Sequence, residues 1–439
     1  MTTLREDLRD VHPIGQFLAI ILAAAATAPG VAIKLSGVQL PHPAEALLFG
    51  ASIVGAAFLL SWAAEVAQLD VSKGLAIAVL ALIAVLPEYA VDFVFASKGG
   101  NAVQQFGEAC KPPGAAGESA CSLALANMTG ANRLLIGVGW SMVVFIAWYR
   151  YRKRGTPREG ITLNRQHSVE LSFLALATLY SLTLPLKQSV TLIDTVVLVG
   201  IFAAYTFRVS KAPAEEPHLV GPAREIGRFG VRNRRLTVVG MFLFSAAVIL
   251  LCAEPFAEAL VATGLDIGVS EFLLVQWLAP LASEAPELLV AVLFAWRLNT
   301  DAALGTLVSS KVNQWTLLVG TLPVVFAIAA GGFHGLPIEP RQREELLLTA
   351  AQSFFAVAVL SSLSLSIREA WMLFGLFWAQ FIIGGVVPES LHGVERIAVS
   401  VVYLLLGAWI LIKARKRLVP LLKDGFRVPY HHLQRGHPE

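Results

Sequence analysis

Leu69-Asp70-Val71-Ser72 opens an apolar run that closes on Pro87-Glu88, and Leu265-Asp266-Ile267-Gly268-Val269-Ser270 opens a second that closes on Pro286-Glu287. A segment of small and polar residues follows each. The first copy reads Asn127-Met128-Thr129-Gly130-Ala131-Asn132, and the second Gly305-Thr306-Leu307-Val308-Ser309-Ser310-Lys311-Val312-Asn313. Both lead into apolar helices, through Val143-Val144-Phe145 and Val324-Val325-Phe326. The copying continues, because Arg165-Gln166 with Glu170-Leu171 returns as Arg341-Gln342 with Glu345-Leu346. A duplication on this scale decides the architecture before any single motif is weighed.

The 439 residues around these segments are 56% hydrophobic and only 15% charged, with mean hydropathy +0.66. Soluble domains carry about 25% charged residues, so an ordinary water-soluble protein is excluded. A hydrocarbon core of about 30 Å needs roughly 20 apolar residues per helix. Such windows predict an all-α polytopic membrane protein with about twelve spans. They fall near 14–33, 44–66, 75–95, 122–147, 169–186, 190–207, 236–262, 271–295, 303–330, 346–366, 370–388 and 394–412. The net charge of +3 comes without a basic, aromatic-interleaved stretch, so no nucleic-acid footprint is present. No nucleophile elbow, P-loop, dinucleotide fingerprint or HExxH sequence is found. The expectation is therefore not an enzyme and not an ATP-driven pump, with no cofactor; an ion gradient supplies the energy.

Lys and Arg favour cytoplasmic loops. Arg150, Arg152, Lys153, Arg154, Arg158 and Arg165 follow the fourth span, Arg208, Lys211, Arg224, Arg228, Arg232, Arg234 and Arg235 the sixth, and Lys413, Arg415, Lys416, Arg417 and Lys423 the twelfth. All three agree on one parity, which puts both termini in the cytoplasm and the protein in the plasma (inner) membrane. Arg5 and Arg9 are offset by Glu6, Asp7 and Asp10, so the first span reads as a retained helix and not a signal peptide. The same parity places Cys110 and Cys121 outside, where a disulfide can persist; two separate thiols are the alternative. Cys252, inside a span, reads as packing.

The expected organisation is an extra N-terminal helix (1–43), a first five-helix repeat (44–207), a cytoplasmic loop (208–235), a second five-helix repeat (236–388), and a last helix with a basic tail (389–439). Five is odd, so the second half inserts upside down relative to the first. Inverted repeats of this kind build many secondary transporters.

Ionisable residues at membrane depth are costly and persist when paired, hydrated or holding an ion. Glu88, Asp92, Glu284, Glu287 and Lys311 are in that position, with Arg133 close by. Pro87 and Pro286 remove a backbone donor and clash one turn back, so the helices should break there and expose carbonyls beside the carboxylates. That is a hard oxygen site, suited to Ca²⁺, Na⁺ or H⁺. Glu88 with Asp92, and Glu284 with Glu287, are spaced to share a helix face. Arg133 reads as structural, Glu65, Glu254 and Glu258 as vestibule residues, and His42, His167, His218 and His334 as loop residues without metal-ligand spacing.

Taken together these residues resemble the calcium/cation antiporter superfamily, the sodium/calcium exchangers and their proton-coupled relatives. The duplicated Pro-Glu, each followed by a Gly/Asn/Ser helix, looks like the two alpha repeats of that family. The resemblance implies that Glu88 and Glu287 are the central ion ligands. The family's hydroxyl pair falls on Ala84 and Val85 in the first copy and on Ser283 and Glu284 in the second. Its Gly-Ser-Asn motif falls on Gly130-Ala131-Asn132 and Ser309-Ser310-Lys311, and the next ligand position on Leu135 and Gln314. The ion-binding set is then Glu88, Glu287, Asn132, Ser310, Gln314, Ser283, Glu284 and Asp92, with Lys311 as a modulating charge where the family has an amide. Asn127 or Thr129 is the alternative source of ligands in the first copy.

The implied function is alternating-access exchange of Ca²⁺ or a related cation against Na⁺ or H⁺. A monovalent cation/proton antiporter on the same scaffold is the first alternative, and a transport-inactive membrane scaffold or sensor the second. The expected partners are inorganic cations and the lipid bilayer, with no nucleic acid.

Overall fold

The computed structural model describes residues 13–70, 86–114, 118–212, 219, 221–268 and 270–433. These residues are nearly all helical. In chain order the helices are α1 (Pro13–Ser36), α2 (His42–Ala67), α3 (Leu86–Phe106), α4 (Ala120–Leu134), α5 (Ser141–Lys153), α6 (Ser168–Ser181), α7 (Leu192–Val209) and α8 (Pro222–Gly227). They continue with α9 (Val231–Ile267), α10 (Glu271–Trp296), α11 (Thr300–Asn313), α12 (Val319–Ala329), α13 (Pro340–Leu360), α14 (Ile367–Val386), α15 (His392–Phe426) and α16 (Tyr430–Leu433). Four short strands complete the fold: β1 (Gly160–Thr162), β2 (Ser189–Val190), β3 (Leu336–Pro337) and β4 (Ser364–Ser366).

Among the described residues, nine helical stretches are long and apolar enough to cross a bilayer, or ten when the bent α10 is included. The expected twelve is too many. The span expected at 75–95 lies partly in 71–85, outside the described residues, as do the positions of Ala84 and Val85. The one expected at 346–366 is helical as α13, but Arg341, Arg343, Glu344 and Glu345 in its first turns make it too polar to count.

The chain divides into two compact units. The first comprises Met1–Val91, Ala214–Gly268 and Leu281–Pro286. In it α2 lies along α9 and α1, with Leu59, Trp62, Ala63 and Val66 packed on Ala223, Ile226 and Val238. Small residues let the backbones meet, as they must where lipid offers no hydrophobic drive for association. A Cβ on Gly55 would stand 2.4 Å from the Ala23 carbonyl oxygen. The amide of Gly30 donates to Ser52 Oγ at 3.0 Å. Leu236, Val239, Leu243 and Leu250 of α9 point outward, a lipid-facing stripe.

The second unit comprises Asp92–Pro213, Val269–Pro280 and Glu287–Glu439. Its two small sheets are informative. β1 pairs antiparallel with β4, and β2 with β3. Each sheet joins the strand before the fourth helix of one repeat to the strand after the fourth helix of the other. Paired strands share a membrane face, so 160–162 and 364–366 lie at one face, with 189–190 and 336–337 a helix length away at the other. The α7 and α14 starts are fixed by capping boxes, Thr191 with Asp194 and Ser366 with Glu369. A disulfide joins Cys110 to Cys121 just ahead of α4, and Cys252 is buried as a free thiol.

Candidate functional site

The two small-residue segments form the same backbone device. α4 runs into a π-helical turn at Leu135–Trp140 before α5, and α11 runs into one at Gln314–Leu318 before α12. Each turn begins at the residue where the two motifs align, Leu135 in one copy and Gln314 in the other. π turns are rare and concentrate at functional positions. Three residues before them stand Asn132 and Lys311, and these two equivalents meet. The Lys311 ammonium donates to the backbone carbonyl oxygen and to Oδ1 of Asn132, both at 2.7 Å, and sits 5.3 Å from the Trp315 ring centre. Both residues are fully buried. Asn132 Nδ2 in turn donates to the Met128 carbonyl at 2.9 Å.

Glu287 is held by the hydroxyl of Ser310, which donates to its Oε2 at 2.6 Å. Glu284 and Glu287 are one turn apart on α10, with Pro286 between them. The helix bends there by 57° but does not end, so the expected break is a bend at Pro286. In the first unit, Glu88 and Glu284 are both buried and each offers a carboxylate oxygen within 4.8 Å of the other's. Ser283 and Gln314 are buried as well. Asp92 Oδ1 accepts from Asn127 Nδ2 at 2.8 Å. Thr129 turns its hydroxyl back onto Leu125 and Ala126 carbonyls, so Asn127 is the one of this pair that presents polar atoms to a carboxylate. Within the second unit, a carboxylate held by a hydroxyl (Glu287 by Ser310) and one held by an amide (Asp92 by Asn127) are hard-oxygen donors, the kind that bind alkaline-earth and alkali cations.

Sequence reasoning missed two clusters in the second unit. Arg133 donates to Glu345 at 2.8 Å and also to Gln380, and its guanidinium lies 5.1 Å from the Trp277 ring centre. Glu345 also receives Gln276 Nε2 at 2.9 Å and Arg396 Nε at 3.0 Å, while Arg396 reaches Glu344 at 2.6 Å. A Cβ on Gly130 would fall 1.6 Å from the Gln276 carbonyl oxygen, so glycine is obligatory at this crossing. The duplicated Glu-Leu pair was read as a repeat marker; a lone Arg396 in an apolar span was the signal of its second role. The other cluster corrects the loop reading of His167. This residue is buried, its Nε2 lying 3.3 Å from Asp301 Oδ2 and its Nδ1 3.7 Å from Glu170 Oε2.

The sequence matches the sodium/calcium exchanger protein family over residues 46–211 and 237–384. A crystal structure of the H+/Ca2+ exchanger CAX superposes with TM-score 0.84 at 41% identity, covering 94% of this chain and 98% of that one. Two structures of YfkE, one described as a Ca2+/H+ antiporter protein, superpose with TM-scores of 0.55 and 0.58. Each is 14% identical and covers 88% of this chain and 99% of its own, a likeness of fold alone. No curated protein sequence matches. With the family matched across both repeats, on the elements that carry Glu88, Glu287 and the two π turns, this chain belongs to the sodium/calcium exchanger protein family.

Proposed function

We propose that the protein is a secondary Ca²⁺/H⁺ antiporter working by alternating access. The observation that carries the reading is 41% identity to an H+/Ca2+ exchanger over 94% of the chain, joined to an oxygen-rich donor set on bent and π-turned helices. Glu88 and Glu287 bind the cation, with Glu284, Ser283, Ser310, Gln314, Asp92 and Asn132 supplying further oxygens or holding the ligands in place. Lys311 adds a fixed positive charge beside Ser310, which lowers the number of cations the site takes and favours exchange of one divalent ion for protons over sodium coupling. Binding of a cation or of protons to the same carboxylates is mutually exclusive, and that exclusion couples the two fluxes. The protein catalyses no covalent reaction and needs no cofactor. Its basic loops at 149–158 and 208–235 support an inner-membrane location with both termini cytoplasmic.

Uptake of ⁴⁵Ca²⁺ into proteoliposomes under an imposed pH gradient tests the reading. Uptake is expected with a pH gradient and lost in Glu88→Gln and in Glu287→Gln. Uptake unchanged in both variants overturns the site. Lys311 favours one further reading, monovalent cation/proton exchange, whose signature is Na⁺-dependent proton flux without Ca²⁺ movement.

A further inference from the structure

The second unit treats its two ends differently. Counted back from the π turns, Ser122 of α4 and Asp301 of α11 occupy the same step. Three residues before Glu345 stands Gln342, and three residues before Glu170 stands His167. Counted from the two glutamates these contacts are equivalent, while the duplicated Arg-Gln pairs place Gln166 one residue before His167. At one end Gln342 Nε2 donates to the Ser122 hydroxyl, which itself donates to Glu118 Oε2 at 2.9 Å, a carboxylate paired with Arg341. At the other end, where β1 and β4 meet, the same place holds an imidazole between two carboxylates, Asp301 and Glu170.

The surroundings of this imidazole make protonation its natural business. His167 is 9% exposed and Glu170 7%, while the Asp301 side chain keeps a 27% opening to the outside. Neighbouring cations are committed elsewhere. Arg165 forms a two-bond pair with Asp424 of α15 at 2.6 and 2.7 Å. Arg208 of α7 donates to backbone carbonyls of Gly425 and Asp424. Tyr205 of α7 donates to Ser309 at 3.4 Å, and His432 of α16 is exposed. Asn164 donates through its amide and its side chain to Asp301 at 2.6 and 2.7 Å. A buried carboxylate, Glu170, and a partly open one, Asp301, thus face one titratable base, and a proton on His167 removes a local excess of negative charge. The ring lies against α11, since a Cβ on Gly305 would stand 2.4 Å from His167 Cε1. Helix α11 continues from there to Ser309, Ser310 and Lys311.

We propose that His167, with Asp301 and Glu170, is a proton-binding site open to one membrane face only, and that its occupancy sets how α11 is seated. The inference rests on the proposed antiport and adds where that antiport senses protons. An incoming proton binds an imidazole nitrogen, forming an N–H that closes the ion pair with Asp301, and leaves by the same route. The equivalent end holds the Gln342 amide where this one holds an imidazole.

The test is ⁴⁵Ca²⁺ exchange in vesicles of one orientation, with the pH of each face varied separately. Wild type is expected to respond to the face bearing β1 and β4 through a limb that vanishes in His167→Gln, with Ca²⁺ affinity within about twofold of wild type. Gly305→Ala, which pushes the imidazole off the helix, should shift the same limb. A His167→Gln profile identical to wild type overturns the proposal. Should His167→Gln not fold, Asp301→Asn and Glu170→Gln decide: each is expected to move the limb to lower pH by roughly one unit or more, the worth of a close charge partner, and an unmoved limb in both overturns it. Loss of all Ca²⁺ exchange in wild type would instead overturn the antiporter reading and leave His167 to be read by proton-linked thermal stability, where wild type but not His167→Gln should respond.

Discussion

The helix, π turn and helix of Ala120–Lys153 and those of Thr300–Ala329 share a backbone and differ in almost every polar side chain. Gly130 of one copy stands where Ser309 does in the other, Asn132 where Lys311 does, Arg133 where Val312 does, and Leu135 where Gln314 does. The shared part is what packing requires of two chains crossing in lipid. The divergent part sets the copies apart chemically: one carries the Asn132 amide and the Arg133 network, the other the Lys311 ammonium and the Ser310 hydroxyl against Glu287.

The largest effects should separate the copies at Arg133 and Val312. Arg133→Leu leaves Glu345 with Arg396 and Gln276 but takes its 2.8 Å guanidinium partner out of a buried network, and breaking a buried pair costs about 3–5 kcal/mol; Val312→Ala costs about 0.5–1.5 kcal/mol. Thermal unfolding in detergent checks the ranking, and equal losses would mean that the network contributes no more than packing does. Next come Gly130→Ala, expected to cost about 1–3 kcal/mol by overpacking against Gln276, and Ser309→Ala, expected to stay within roughly 0.5 kcal/mol. A Gly130→Ala protein as stable as wild type would show that the crossing can open. Lys311→Asn should make the second copy resemble the first: with the positive charge gone, Ca²⁺ binding tightens by about tenfold, or ~1.4 kcal/mol, read by isothermal titration. Weaker binding would mean that the ammonium organises the oxygens and does not compete with the ion.

The smallest effect concerns the start of each repeat, where Asp70 and Asp266 are equivalent. Hydrogen bonds from Arg234 at 2.7 and 2.8 Å hold the Asp70 carboxyl below the usual carboxylate range. A lowered folded pKa means that the stabilisation is present above the ordinary carboxylate pKa and is lost as pH falls through the folded value. Asp70→Asn should therefore lower the melting temperature slightly near neutral pH and leave it unchanged in strong acid. Asp266, paired with His42 at 2.6 Å with both side chains about half exposed, should matter less still.

The duplicated segments made the fold class readable from sequence, because apolar windows and repeats are properties of the chain alone; the π turns at Leu135 and Gln314 were not expected. The span count was overstated because hydropathy windows slide past charges such as Arg341 and Arg343, which α13 begins with. The Pro-Glu pairs singled out Glu88 and Glu287, which the proposed site uses as ligands. Contacts between distant segments were not: nothing in local sequence says that Lys311 faces its own counterpart Asn132, that Arg396 reaches Glu345, or that His167 leaves its loop to lie against Gly305. Such pairings are decided by which helices cross, and small residues only mark where crossing is possible.

The strand pairs β1 with β4 and β2 with β3 have a consequence for biogenesis. Each strand finds its hydrogen-bonding partner in the other half of the chain, so the first half leaves the ribosome with both of its short edges unmatched and must wait in the bilayer for residues 336–366 to be made. Halves expressed as separate chains should therefore recover function only when they are inserted together.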